Sequence, residues 1–347
     1  MIARAGTSAI GCVGRCASNC ARAILTGILK DAQNGDAMIQ RVAIIGKGAV
    51  GLLYGGIAAE HLGADAVTFV MDDARYERHR SEQVLINGRP CEIPTAPVSS
   101  LAGGSLAGEQ PFDLVMLTIK ATGLDQALDT MEALVGPRTR IISLLNGVRS
   151  EERIAERFGW QHTVLSVAQG MDAVFLAGEL TYTHPGEVRL GAAEKTAPGV
   201  VADIADFLAR AGIPHVVEDD IRHRMWTKLM LNVGINQTCM AFGGTYGSVC
   251  APGEQNRCFI AAMREAMAVA RAEGVNLTER DLNEMYELTA SIDPAGMPSM
   301  AQDRINHRLT EVDEFAGTII RLAERHKILV PQNRWLYSRI LEIESSW

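Results

Sequence analysis

Three polar side chains follow one another at helical spacing in an otherwise apolar segment of the chain. Lys228, Asn232 and Asn236 stand four residues apart, so a helix over 221–241 would place all three along one side. Burying a lysine and two amides without partners is costly, and a small polar substrate would supply such partners. Two interpretations stay open: a substrate site with Lys228 as a potential acid, or a partly solvated helix face on which Lys228 extends its ammonium to water.

A second candidate site is the glycine pattern G-x-G-x-x-G at residues 46–51. An apolar run at 42–45 precedes it, a run of small residues compatible with a helix follows it, and another strand pattern occurs at 66–71. Glycines at this spacing allow a tight turn, a close approach of backbone to a pyrophosphate, and close packing of helix on strand. Free N–H groups and the helix dipole would then attract the anion. The pattern predicts a dinucleotide site; the alternative is a glycine turn that only packs well.

Two further strand patterns end in polar residues that could face such a site. The apolar run at 112–120 ends at Lys120, and the run at 140–145 is followed by Asn146. Ligands of open parallel sheets bind beyond the carboxyl ends of the strands, so both side chains would lie at the same rim as the glycine turn. The alternatives are a solvated lysine at a strand end and an ordinary Asn-Gly turn.

An acidic residue, Asp72, comes just after the second strand pattern. An acid at this place often binds the ribose 2′-OH of NAD, and a basic residue often accommodates the 2′-phosphate of NADP. Arg75, Arg78 and Arg80 follow within two helical turns, so the two signals conflict. Asp72 is equally well explained as the N-cap of a short helix. Charge counting therefore does not choose the cofactor.

The elements that must position these residues change character along the chain. More strands are predicted at 163–168 and as a pair within 180–190 that flanks the turn 184–186. From residue 220 onward the patterns indicate long helices, so we place a domain boundary there. One of these helices is expected to have Ser299 as its N-cap.

Composition limits the class of protein. The 347 residues are enough for two domains, 47% of them are hydrophobic, and the net charge of −8 gives no electrostatic reason to expect nucleic-acid binding. No apolar run reaches the ~20 residues that a membrane span needs. The seven cysteines form no C-x-x-C pair and no cluster with histidines, which argues against a zinc site or a disulfide framework. A reducing compartment, the cytoplasm, is the expected location.

The first 37 residues differ from the rest. The first thirty contain four basic residues and no acid, and Cys12, Cys16 and Cys20 are spaced to share one helix face. We expect residues 1–37 to be a leader outside the fold, or the product of a start codon placed too early, with Met38 as the real beginning. An organelle transit peptide and a metal or redox stripe are the alternatives.

Five separated motifs together resemble the ketopantoate reductase (2-dehydropantoate 2-reductase) family, from about residue 41 to the C-terminus. The motifs are GKGAVG at 46–51, TIKATGL at 118–124, LLNGV at 144–148, KLMLNVGIN at 228–236 and SMAQD…TEVDEFAG at 299–317. The resemblance implies an α/β fold with an N-terminal Rossmann domain, expected over 38–219. An all-helical domain, similar to the C-terminal domain of 6-phosphogluconate dehydrogenase, would follow over 220–347, with the active site in the cleft between them.

The resemblance also implies a role for each matching residue. Lys228 would be the proton donor, and Glu311 would support both this lysine and the cofactor end of the site. The substrate-binding residues would be Asn146, Lys228, Asn232, Asn236 and Ser299. The cofactor-binding residues would be Gly46, Lys47, Gly48, Ala49, Val50, Gly51, Asp72, Lys120, Asn146 and Glu311.

The implied reaction is the NAD(P)H-dependent reduction of a 2-keto acid, with ketopantoate first among the candidate substrates. Hydride would reach the ketone carbon while the lysine ammonium stabilises and protonates the oxygen. The expected cofactor is NADP, with NAD as the alternative, because Asp72 replaces the basic residue of the family's commoner forms. Tyr246 replaces a substrate-side asparagine and Ala301 replaces a common leucine, which leaves a different 2-keto acid open.

Two other functions are compatible with the same sequence features. Another enzyme of the same architecture, such as a 6-phosphogluconate-dehydrogenase-like one, would keep Lys228 and accept a different acid. A nucleotide-binding sensor would have kept the fold and lost turnover, although it would have no need of a proton donor. A homodimer is expected from the apolar content of the helical domain.

Overall fold

The computed structural model describes residues 38–102 and 112–347, so the predicted leader at 1–37 lies outside the described residues. Within the described part every strand lies before residue 218. The strands are β1 (Val42–Ile45), β2 (Val67–Met71), β3 (Leu85–Ile86), β4 (Arg89–Pro90), β5 (Thr95–Pro97), β6 (Leu114–Leu117), β7 (Arg140–Ser143), β8 (Leu165–Met171), β9 (Val174–Leu176), β10 (Glu179–Thr181), β11 (Pro185–Gly191) and β12 (His215–Val217). The α-helices among them are α1 (Ala49–Leu62), α2 (Asp73–His79), α3 (Val98–Ala102), α4 (Leu124–Met131), α5 (Ser150–Phe158) and α6 (Val200–Arg210).

The apolar run at 42–45 forms the central strand of a parallel sheet. The strand order is β5-β2-β1-β6-β7, and β1 pairs in parallel with both β2 and β6. Every residue of β1 and β6 is buried, which explains why their sequences are continuously apolar instead of alternating. Because β6 pairs in parallel with both β1 and β7, the carboxyl ends of these three strands form one rim, as the predicted α/β fold requires.

The two smaller sheets differ from the strand pairing that was expected within 180–190. The strands expected as a pair within 180–190 do not pair with each other. Strand β10 belongs to a four-stranded sheet with the order β4-β3-β10-β9, whereas β11 pairs with β8 and β12 in a three-stranded sheet. Residues 182–184 connect the two sheets, and Pro185 and Gly186, which were expected in a turn, are the first residues of β11. The prediction of a local pair was wrong because strand pairing depends on tertiary neighbours that period-2 patterns do not identify.

From Ile221 onward the described chain is helical. The elements are α7 (Ile221–Phe242), α8 (Tyr246–Cys250), α9 (Glu254–Ala272), α10 (Glu279–Ser291), α11 (Ser299–Ile305), a π-helical turn (Asp313–Gly317), α12 (Thr318–His326) and α13 (Pro331–Glu344). Helix α7 is the centre of this part, because it packs against α9, α11 and α13 and is buried on most of its circumference. None of the described helices is long and apolar enough to cross a membrane.

The packing around α7 explains why its sequence is apolar on nearly every side. Phe259 and Met263 of α9 lie so close to Gly234 that a Cβ there would be 2.7 Å and 2.6 Å from their side chains. A helix surrounded in this way loses the usual polar face. Polar residues that remain on it, such as Lys228 and Asn232, must therefore find partners within the protein or in a ligand.

Candidate active site

The glycine turn is built by contacts that leave one of its sides open. Gly46 has a φ of +118°, and the Thr118 hydroxyl donates a 2.8 Å hydrogen bond to its carbonyl oxygen. A Cβ at Gly51 would lie 1.9 Å from the same oxygen, so only glycine fits there. At Gly48, by contrast, no described atom would lie within 4 Å of an added Cβ. Gly48 is also the N-cap of helix α1 and provides no side-chain cap. The first and third glycines thus shape the turn, and Gly48 leaves room for a ligand at the free N–H groups.

The other residues of this turn lie at the N-terminus of α1 and beside it. Ala49 and Val50 are the first two residues of the helix and are partly buried. The Lys47 ammonium lies 3.2 Å from the Thr95 hydroxyl and 5.6 Å from the centre of the Phe69 ring. Lys47 therefore points along the rim toward β5, which leaves the opening of the turn clear.

Lys228 and Asn146 meet at this rim, although 82 residues separate them. The Lys228 ammonium donates to the Asn146 side-chain oxygen at 2.9 Å and to the Ala168 carbonyl oxygen at 2.5 Å. Asn146 follows β7, and Ala168 lies in the middle of β8, so α7 brings its lysine to the segment after one strand and to the backbone of another. The Ala168 carbonyl has no signature in the sequence, because backbone acceptors are independent of residue type.

Glu311 completes a chain of hydrogen bonds that starts at Lys228. One carboxylate oxygen of Glu311 accepts from the Asn146 amide at 3.1 Å, and the other accepts from the Ala121 N–H at 3.1 Å. Glu311 is 7% exposed, and it lies in the segment before the π-helical turn. The Asn146 amide thus links an ammonium on one side to a carboxylate on the other. Each buried polar group here has a partner, as buried ionisable groups require.

Burial changes the acid strength of Lys228. Desolvation lowers its pKa from 10.5 to about 8, and the nearby Glu311 carboxylate acts in the opposite direction. A lysine with a pKa close to neutral pH is better suited to transferring a proton than an exposed one. The site therefore contains a positioned acid whose strength is set by its surroundings.

The two asparagines of α7 and Ser299 form a second polar group next to this chain. The Asn236 amide donates to the Asn232 side-chain oxygen at 3.2 Å, and the Asn236 oxygen accepts from the Ser299 hydroxyl at 3.0 Å. The same oxygen accepts from the Met300 N–H at 3.1 Å. Ser299 was predicted to be a helix N-cap; this was wrong, because Pro298 is the N-cap and Ser299 is the first helical residue. Its hydroxyl is directed toward α7 instead.

Lys120 forms an ion pair with a residue to which the sequence analysis gave no role. Its ammonium contacts both carboxylate oxygens of Asp303 at 2.8 Å and the Leu309 carbonyl oxygen at 3.3 Å. Asp303 is 8% exposed and lies one turn after Ser299 on α11. The i, i+4 spacing of Ser299 and Asp303 could have indicated from the sequence that Asp303 belongs to the site, since the two residues must share a helix face.

Asp72 lies apart from these residues, at the end of β2. Its carboxylate accepts from the Arg75 N–H at 2.9 Å and caps α2. Of the three arginines that follow, Arg80 is bound to Glu77 at 2.9 Å, while the Arg75 and Arg78 side chains are exposed. The cap accounts for one of the two Asp72 oxygens, so the structure is compatible with either cofactor.

Two family models match the chain in succession. Residues 42–195 match ketopantoate reductase PanE/ApbA, and residues 220–344 match the C-terminal model of the same family. A 2-dehydropantoate 2-reductase from Streptococcus pyogenes serotype M18 is 25% identical over 297 residues, which are 85% of this chain and 95% of the relative.

Solved structures give the same result for the fold. A PanE/ApbA family ketopantoate reductase from Ralstonia eutropha JMP134 superposes with a TM-score of 0.74 and 25% identity, over 88% of this chain and 99% of that chain. D-mandelate dehydrogenase, solved with NADH and anilino(oxo)acetate, has a TM-score of 0.75 and 22% identity over the same shares. The predicted Rossmann part followed by a helical part is therefore confirmed.

Proposed function

Because the chain belongs to the ketopantoate reductase family and is an oxidoreductase acting on CH–OH groups, we propose that it reduces a 2-keto acid, first of all ketopantoate to pantoate. The observation that carries the proposal is the hydrogen-bonded series Lys228–Asn146–Glu311 at the rim beside the glycine turn. It combines a partly buried acid with the residues that orient it. The similarity to named 2-dehydropantoate 2-reductases supports ketopantoate as the substrate.

The open side of the glycine turn fits a dinucleotide. Gly48 leaves space at the first N–H groups of α1, where a pyrophosphate would bind, and Lys120 and Asn146 lie at the adjoining strand ends. A bound nicotinamide cofactor would supply the hydride. We propose NADP, with NAD as the alternative.

The chain's own residues would do the remaining work. Lys228 would place its ammonium at the ketone oxygen, stabilise the negative charge that develops there, and deliver the proton. Asn146 would hold that ammonium in position, and Glu311 would hold Asn146. Asn232, Asn236 and Ser299 would receive the carboxylate and hydroxyl groups of the substrate.

The proposal is tested by initial rates of NADPH and NADH oxidation with ketopantoate. Turnover with either nucleotide supports it. Nucleotide binding without turnover on ketopantoate or any other 2-keto acid would favour the sensor function instead. The Lys228–Asn146–Glu311 arrangement argues against a sensor, because binding alone needs no positioned acid.

A different 2-keto acid is the second candidate, and Tyr246 favours it. A Cβ at Gly296 would lie 3.0 Å from the Tyr246 ring, so this tyrosine packs against the loop before α11. An aromatic ring in place of an amide would suit a less polar substrate side chain. The similarity in fold to D-mandelate dehydrogenase is in keeping with a 2-keto acid other than ketopantoate. A panel of aliphatic and aromatic 2-keto acids, compared by kcat/KM, separates the two candidates.

The pH dependence of the reaction should follow Lys228. A general acid must be protonated, so kcat/KM for reduction is expected to be constant below the lysine pKa of about 8 and to fall about tenfold per pH unit above it. Glu311 raises this pKa, so Glu311→Gln should move the midpoint to lower pH. Glu314→Gln, a neighbour without a bond to Asn146, is the control. A midpoint that Glu311→Gln does not move would contradict the assignment.

Cofactor choice should depend on Arg75. If it binds the 2′-phosphate, Arg75→Glu should lower kcat/KM with NADPH by about ten- to a hundredfold, the range of a charge-assisted hydrogen bond. Rates with NADH should change little. Arg78→Glu, which makes the same charge change one turn later on α2, is the control. A larger loss with NADH, or a loss for Asp72→Ala with NADH alone, would instead make NAD the cofactor.

We propose that the chain works as two domains divided between residues 219 and 220, that residues 1–37 are a leader, that the protein forms a homodimer, and that it acts in the cytoplasm. Size-exclusion chromatography with light scattering tests the dimer. Mass spectrometry of the protein purified from its own cells tests the leader.

A further inference from the structure

A cavity of about 540 Å³ lies where the strand-containing part of the fold meets the helices, and we call it the junction cavity. Its walls come from the segments 148–152, 160–165 and 193–195 on one side and from α7, the end of α9 and α12 on the other. Its volume is within the range of small-molecule sites, about 300–1,000 Å³. None of the residues proposed above for substrate or cofactor lines it.

The junction cavity lies on a different side of α7 from the proposed active site. Arg222, Met225 and Trp226 of α7 line it. At about 100° per residue, these three project roughly 60° to 160° around the helix from Lys228. A ligand in the cavity would therefore contact α7 without occupying the position of the ketone.

The floor of the junction cavity is apolar and aromatic. It is formed by Trp160, Leu165, Met225 and Trp226, of which Leu165, Met225 and Trp226 are buried. Tryptophan faces bind flat apolar groups well, and they do so without a polar partner. The floor therefore suits the aromatic or otherwise apolar body of a small molecule.

The rim of the junction cavity is basic although the chain as a whole carries a net charge of −8. Three acidic residues line it, Glu152, Glu194 and Glu273, and Glu273 is already paired with Arg325 at 3.2 Å and with His326 at 2.5 Å. The five basic residues are Arg149, Lys195, Arg222, Arg321 and Arg325.

Two of these basic side chains make no hydrogen bond or salt bridge within the described residues. These are the Arg149 guanidinium, whose charge partly offsets the effect of burial on the Glu314 pKa, and the Lys195 ammonium. Among the described residues, the Arg222 guanidinium donates only to the Glu273 carbonyl oxygen, at 3.3 Å, which leaves further N–H groups of this side chain for a ligand. Uncommitted guanidinium and ammonium groups over an aromatic floor are the usual elements of a site for organic anions.

We propose that the junction cavity is a second ligand site, which binds a small organic molecule with an aromatic or apolar body and at least two negative charges. Arg149 and Lys195 on one wall and Arg222 on the other would contact the anionic groups, and Trp160 and Trp226 the body. Because such a ligand joins elements from both parts of the fold, its binding stabilises their native arrangement. This site is independent of the function proposed above.

The test uses naphthalene-1,5-disulfonate, a rigid aromatic dianion, titrated into the full-length protein by isothermal calorimetry with and without saturating NADPH. We expect one site whose affinity NADPH changes by less than about threefold, and weaker binding of the uncharged 1,5-dihydroxynaphthalene. The double variant Lys195→Glu/Arg222→Glu should bind the dianion at least about tenfold more weakly, since it reverses two of the contacting charges.

The matched control is Arg80→Glu/Arg339→Glu, which makes the same charge change at exposed positions away from the cavity. It should bind within about threefold of the wild type, because distant exposed charges are screened. No binding to the wild type, equal weakening in both double variants, or competition with NADPH or ketopantoate would each overturn the proposal. If the double variant does not fold, Lys195→Glu in its exposed loop is compared with Arg339→Glu in the same way.

Discussion

Replacing Lys228 with alanine is expected to lower kcat for 2-keto acid reduction by roughly two to four orders of magnitude, the usual contribution of a general acid. The physical reason is specific to this site. The ammonium is fixed by the Asn146 side-chain oxygen and the Ala168 carbonyl oxygen, so no solvent proton donor replaces it at the same position. The measurement is the steady-state rate of NADPH or NADH oxidation at pH 7 with saturating ketopantoate.

The variant Lys228→Met separates chemistry from packing. Methionine keeps most of the apolar stem that extends from α7 toward Asn146 but has no ammonium to donate a proton, so the kcat of this variant should fall as far as that of the alanine variant. Nucleotide affinity should stay within about threefold in both variants, because hydrogen bonds link the lysine to Asn146 and Ala168 and not to the glycine turn. A kcat within tenfold of the wild type for either variant would mean that another group donates the proton.

The second large effect is expected at the glycine turn, where two substitutions of the same size should act differently. A methyl group at Gly51 would lie 1.9 Å from the Gly46 carbonyl oxygen and 2.6 Å from the Thr118 hydroxyl. Helix α1 must then move away from β1, which should destabilise the fold by about 1–3 kcal/mol, as overpacking usually does. Nucleotide binding should be lost together with stability.

Gly48→Ala is the matched control for Gly51→Ala. No described atom lies within 4 Å of a Cβ at Gly48, and its φ of −98° suits alanine, so stability should change by less than about 1 kcal/mol. Nucleotide affinity should nevertheless fall at least about tenfold, because the methyl group would stand where backbone is expected to approach the pyrophosphate. Urea unfolding measures the first quantity, and nucleotide titration measures the second. Normal affinity in Gly48→Ala would place the pyrophosphate elsewhere.

These two experiments test different parts of the proposal. Lys228 is assigned by a position in the family pattern together with its tertiary partners. The glycine turn is assigned by local geometry that is independent of the rest of the site. If Lys228→Ala loses activity while Gly48→Ala binds the nucleotide normally, the proposed reaction type would stand. The pyrophosphate would then have to bind at a different position.

Local features of the fold could be predicted from the sequence because they depend on neighbours along the chain. The spacing of Gly46, Gly48 and Gly51 restricts the backbone sterically, so a strand–turn–helix follows from residue types alone. The continuous apolar runs of β1 and β6 were recognisable for a similar reason, as was α7, which was expected over 221–241, since burial on several sides removes most polar residues. The order of strands and helices also indicated the α/β class.

Only the tertiary structure decided which polar groups meet. Asn146 and Glu311 are 165 residues apart, and Lys120 and Asp303 are 183 residues apart, so spacing could not pair them. The hydroxyl of Ser299 turns to Asn236 because α11 packs on α7, although its sequence context resembles a helix cap. Strands β10 and β11 join different sheets for the same reason. Long-range contacts depend on how preformed elements pack against one another, and residue periodicity specifies the elements but not their neighbours.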